Sequence, residues 1–171
     1  MIRAWAKSYR VVARMLVSDM ISIHVAGTPR PKQSARFVKG RAIPIAATNK
    51  QLKVWDAAIK ASCRRALDAG AEPMAGPLCM EVRFYFKTPK AERWGLPHTH
   101  RPDADNCVKE VMDSIKKSGL MAVDDCYIAG IDAQKIWAKD AGMVVTIRPW
   151  GTAAAMLPDQ DDDIGVAFTI D

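Results

Sequence analysis

The chain has 171 residues, is 49% hydrophobic and carries a formal net charge of +6; its length and apolar content suit one soluble domain with a real core. It holds no apolar run long enough to cross a bilayer, and its four cysteines form no CxxC pair. With only three histidines, a zinc-type cluster and a disulfide framework are set aside in favour of reduced cytoplasmic thiols. Residues 151–171 hold five Asp and no Lys or Arg, so residues 1–150 carry a formal +11, an excess that points to a polyanionic partner.

Residues 1–19 space Arg3, Lys7, Arg10 and Arg14 as one helical stripe, and are expected to form a basic N-terminal extension. Met20, where the first strand begins, is a candidate functional start. "MISIHVAG" alternates Ile21, Ile23 and Val25 on one face of a strand. "GTPRPKQSARFVKGR" follows, with Arg30, Lys32, Arg36, Lys39 and Arg41 and no acid. Its prolines forbid a helix, so an extended basic loop leading to a short strand is expected, suited to DNA phosphates or simply to solvent.

"TNKQLKVWDAAIKASCRRALDAG" predicts a helix burying Leu52, Trp55, Ile59, Cys63 and Leu67, capped at Thr48 and stopped at Gly70. "PLCMEVRFYFK" predicts a strand with Leu78, Met80, Val82, Phe84 and Phe86 on one face. Residues 88–102 read as a loop, in which Trp94 is expected to anchor and His98 and His100 to be solvated. A helix from about Asp105 to Lys117 buries Val108, Val111, Met112 and Ile115 and stops at Gly119. "CYIAGIDAQKIWA" is a strand, "KDAG" a turn, and "MVVTIRP" a strand returning antiparallel. The order of elements predicts an α/β fold, a single mixed-sheet domain over residues 20–150 with two main helices. The acidic tail 151–171 is expected to be disordered.

"RPDADNCVKEVMDSIKKSGLMAVDDCYIAG" crowds five carboxylates into a basic chain. Asp103 and Asp105 lie two apart at a helix entry, where the helix dipole favours negative charge; capping would need only one of them. Asp105, Lys109 and Asp113 follow at steps of four, a pattern that an exposed ion-pair ladder also explains. With Asp124 or Asp125 added, the acids could hold Mg²⁺, an oxygen-loving ion that takes few carboxylates and several waters. Beside a phosphodiester such an ion activates water and offsets developing charge, and Lys109 would add a fixed positive charge. An EF-hand is excluded, because Val108 stands where the loop needs Gly.

The motif "RPDADNCVKEVMDSI…VDDCYI…K" closely resembles the RusA-type crossover-junction endodeoxyribonucleases, the Holliday junction resolvases of bacteria and prophages. It matches at Arg101, Asp103, Asp105, Asn106, Lys109, Asp113, Asp124, Asp125 and Lys135, and "ISIHVAGTPRPKQSAR" matches the family's opening strand and loop. The resemblance spans about residues 20–148. It implies essential acids, also the metal ligands, at Asp103, Asp105 and Asp125, and a catalytic lysine at Lys109. Asn106, Asp113, Asp124 and Lys135 take supporting positions, and Arg101 joins the basic loop in binding DNA. It further implies a homodimer, Mg²⁺, no organic cofactor and no membrane, and paired nicks in four-way junctions during recombination and repair. A non-cleaving, phage-associated DNA-binding module of the same fold is the alternative, since it would keep the basic loops without needing the acids. A nucleotide-sugar transferase using the DxD is set aside, because the chain is short for two substrate sites.

Overall fold

Alternation in "LCMEVRFYFK" does what the period of a strand dictates: Leu78, Met80, Val82, Phe84 and Phe86 are buried, whereas Glu81, Arg83 and Lys87 face out. In the computed structural model, which describes residues 20–32, 36–38, 41–43 and 49–151, this strand (β4, Leu78–Lys87) runs through a four-stranded sheet. Its companions are β1 (Ile21–Ala26), β5 (Ile128–Ala138) and β6 (Gly142–Pro149), in the order β1-β6-β4-β5. β2 (Arg36–Val38) and β3 (Arg41–Ile43) pair as a separate antiparallel hairpin. The basic extension, Thr48, Lys39 and tail residues 152–171 lie outside the described residues.

Two helices cover one face of the sheet. α1 (Lys50–Asp68) buries Leu52, Trp55, Ile59 and Cys63, as its 3.6-residue period requires. Its cap is Asn49, whose side chain accepts from the Leu52 N–H at 3.1 Å. Leu67 is only partly buried; Ser62 is buried instead, its hydroxyl donating to the His24 carbonyl at 3.1 Å. α2 (Ala104–Ser118) buries Val108, Val111 and Ile115, leaves Met112 partly buried, and ends where Gly119 adopts φ 84°. Of the four free cysteines, Cys63, Cys79 and Cys107 are buried and Cys126 is exposed.

The last two strands correct one expectation. β6 does run antiparallel to β5, but the two do not form a hairpin. β4 lies between them, pairing parallel with β5 and antiparallel with β6. The reason is burial: Met143, Val145 and Ile147 reach full cover only between β1 and β4. Because β1 and β4 both run antiparallel to β6, and β5 runs parallel to β4, three strands share one direction. Their carboxyl ends form a common edge, where open α/β sheets place their ligands. β5 is the outermost strand, and among the described residues no helix is long and apolar enough to cross a membrane.

Candidate active site

α2 connects two parallel strands, so it must run opposite to them, and its N-terminus sits at their carboxyl ends. Asp103 occupies the N-cap position with extended backbone (φ −70°, ψ 144°), yet its side chain caps nothing. Asp105 stands in the first turn, and Lys109 reaches back to it at 3.3 Å, one turn along the same face. Both acids are exposed. A carboxylate at an N-cap ordinarily accepts from the N–H groups of the first turn. Asp103 does not perform that function: its exposed carboxylate makes no cap hydrogen bond.

The segment before Asp103 is fixed from the sheet. Lys135 of β5 donates to the carbonyl oxygens of His100 at 2.7 Å and Pro102 at 2.6 Å. The His98 N–H returns a bond to the Lys135 carbonyl at 2.8 Å. His98 is not solvated: it is buried, stacked on Phe86 with ring centroids 4.0 Å apart and packed against Trp137 at 4.2 Å. Burial, and then the Lys135 charge, lower its pKa, which favours the neutral form of the ring. Trp94 does anchor the loop, its indole N–H donating to the Thr88 carbonyl at 3.0 Å.

The basic loop arrives at the same end. The Lys32 N–H donates to the Asn106 carbonyl at 2.9 Å, which ties the loop to the first turn of α2. The Lys32 ammonium binds the Asp113 carboxylate, so this cation has an internal partner. Arg30 is half-buried and lines a groove of about 300 Å³ with Gly27, Lys50 and Trp55. Arg36 and Arg41 lie on the β2–β3 hairpin, and Arg101 is exposed two residues before Asp103.

Cys107 lies beneath the acids. Burial first, then the charges of Asp103 and Asp105 against that of Lys135, push its thiol up to about 12. It is an inert packing group, not a nucleophile.

Asp124 and Asp125 are elsewhere. Asp124 accepts from Lys116 at 2.6 Å and from the Asp125 N–H at 2.7 Å. Its carboxyl is drawn down to about 2, chiefly by hydrogen bonding with the Asp125 side chain and then by Lys116. Sharing that contact raises Asp125. Lys116 is eleven residues, about 16 Å of helix axis, beyond Asp105. Two oxygens on one Mg²⁺ are at most about 4 Å apart. Within one chain the structure therefore brings Asp103, Asp105 and Lys109 together but leaves Asp125 at the opposite end of α2. Among the described residues no group of three or more His, Cys, Asp or Glu could hold a metal ion.

One polar cluster lies outside the candidate acids and the basic loop. Glu110 and Ser114 are buried between the helices, where Ser114 donates to Asp56 at 2.7 Å and lies 3.5 Å from Glu110. Lys60 closes the set at 2.6 Å from Asp56. The four-residue steps from Asp56 to Lys60 and from Glu110 to Ser114 were its only signal.

The sequence profile of the family described as "Endodeoxyribonuclease RusA" matches residues 26–148. "Uncharacterized protein YqaN" of Bacillus subtilis (strain 168) is 30% identical over 86 residues, 44% of this chain and 59% of that protein. "Crossover junction endodeoxyribonuclease rusA" of Lactococcus phage r1t is 33% identical over 60 residues, 35% of this chain and 45% of that protein. The chain thus spans about half the length of the curated relatives it matches.

Proposed function

Because the chain belongs to the RusA endodeoxyribonuclease family, we propose that it is a structure-selective nuclease that resolves four-way DNA junctions by paired nicks. It acts as a homodimer in the cytoplasm, requires Mg²⁺, and serves recombination and repair. The observation that carries this reading is Asp103: an N-cap carboxylate that caps nothing, next to Asp105 and above Lys109.

The roles follow from position. Asp103 and Asp105 gather negative charge at the dipole-positive end of α2, which offsets their mutual repulsion. Lys109 brings a positive charge to the same turn, where it would oppose the charge that develops on a scissile phosphate. Lys135 is a positioning residue, acting through the backbone before Asp103. Arg30 and Arg101 approach from the same end of the sheet and would follow the DNA backbone, together with Arg36, Lys39 and Arg41 of the basic stretch.

The test is nicking of a synthetic four-way junction and of a linear duplex of the same sequence, each with Mg²⁺ or with a chelator. Paired nicks confined to the junction and to the Mg²⁺ arm are expected. Binding without cleavage in every arm would assign the protein to a non-cleaving DNA-binding role.

A further inference from the structure

The groove that Arg30 lines opens at the carboxyl end of β1, against the first turns of α1. Its volume of about 300 Å³ stands at the lower end of the small-ligand range, so it admits one unit of a polymer and not a duplex. Its two sides differ in chemistry. Gly27, Val54, Trp55 and Ala58 supply an apolar wall. Gly27 has φ 123°, and a Cβ there would stand 3.6 Å from the Trp55 ring, so the loop packs closely against the indole. Val54 is 71% exposed although it is hydrophobic. Arg30 and Lys50 supply the other side, and among the described residues no carboxylate lines the groove.

Arg30 is held in place from both directions. Pro29 before it is fully buried, and the Gly27 N–H donates to the Ala141 carbonyl at 3.1 Å. Two residues after it, the Lys32 N–H donates to the Asn106 carbonyl at 2.9 Å. The guanidinium is nevertheless half-buried without an ion pair or hydrogen bond to any described residue. A cation withdrawn from water in this way gains from an anion brought by a ligand.

We propose that this groove takes one unpaired nucleotide of a DNA strand, its phosphate against Arg30 and Lys50 and its base against Val54, Ala58 and Trp55. The two sides together select this class. An inorganic anion would leave the apolar wall wet, and an apolar peptide would leave Arg30 unpaired. Every base has an apolar face, so the wall tolerates sequence. The place also fits. Asn106 follows Asp105, and the two residues from Lys32 back to Arg30 span at most about 7 Å, which sets the cationic side beside the candidate acids. A base is most easily turned out where stacking is interrupted, as at the crossover of a four-way junction, and less easily from a linear duplex. The groove would thus help to tell the two apart.

The inference rests on the nuclease reading for its purpose but not for its test. A fluorescent thymidine pentanucleotide is bound to the protein and displaced by three competitors: the unlabelled pentanucleotide, an abasic strand with the same phosphates, and thymidine 5′-monophosphate. For the wild type the abasic strand should bind at least about fivefold more weakly than the pentanucleotide, the lower end of one base contact. Val54→Glu, on an exposed site that leaves the core intact, should erase that difference. Ala61→Glu adds the same charge to an exposed position about 10 Å further along α1, away from the groove, and should preserve it. Arg30→Ala should weaken both strands alike. Equal affinity of the wild type for the two strands, or a difference that survives Val54→Glu in a protein with native circular dichroism, would overturn the proposal. So would displacement by the monophosphate at the same concentration as the strand, which would make the ligand a free nucleotide. Should the wild type cut no junction, the nuclease reading falls, while these affinities still decide the groove.

Discussion

The Lys135 ammonium lies 2.6 Å from the carbonyl oxygen of Pro102, one residue before Asp103. A side chain in the sheet thereby holds the entry to α2, and with it the candidate acids. Replacing Lys135 by Met keeps the stem and removes both carbonyl bonds. Single-turnover nicking is expected to fall by about 10²-fold, the scale of a 1 Å misplacement, while the circular dichroism spectrum stays native. Wild-type turnover in a folded Lys135→Met protein would remove this positioning role.

Lys109 meets Asp105 at 3.3 Å on an exposed face. As one cation among many it adds little to DNA affinity, but a charge held beside the reacting phosphate acts mainly in the transition state. Lys109→Ala should therefore lower the cleavage rate at saturating protein more than it raises the Kd for a junction. A collapse of affinity with an unchanged rate would make Lys109 a phosphate anchor instead.

Arg30 and Lys32 share the basic loop but differ in partners, since Lys32 binds Asp113. Arg30→Ala should flatten the slope of log affinity against log salt by about 0.9, one phosphate contact on duplex DNA. Lys32→Ala should change that slope less. Titration of a junction across several salt concentrations measures both, and equal slopes in all three proteins would leave the loop to solvent.

Glu110 makes stability depend on pH. Burial first, then the Asp56 charge, raise its carboxyl from 4.5 to about 7. Between those values the folded chain keeps a proton that the unfolded chain has released. Stability therefore falls as pH rises through that window and levels off above it. The ceiling is about 3 kcal/mol at 1.36 kcal/mol per unit. Glu110→Gln should raise Tm at pH 8 and flatten this part of the profile; thermal melts from pH 5 to 8 that superimpose on the wild type would refute the assignment.

Much of this was legible in the sequence because it is periodic. The stripes of α1 and α2 and the alternation of β1, β4 and β6 are patterns of burial, and burial decides where those elements go. The DxD motif and Lys109 could be placed on one turn because helical spacing alone brings them together. What spacing cannot reveal is the order of strands: β4 separates β5 from β6 because Met143, Val145 and Ile147 need neighbours on both sides. The position of Asp125 was illegible for a related reason. It depends on the length of α2 and on the parallel pairing of β4 with β5, which together carry it to the far end of the helix. His98 was misread because only tertiary packing against Phe86 and Trp137 makes a histidine in a polar loop a buried ring.

The most direct measurement compares wild-type protein and Asp105→Asn on one radiolabelled four-way junction in Mg²⁺, with binding and single-turnover nicking read from the same samples. The account predicts that both bind, that the wild type makes paired nicks, and that Asp105→Asn makes none, since Asn keeps the shape of the side chain and loses its charge. Near-normal nicking by Asp105→Asn would contradict it.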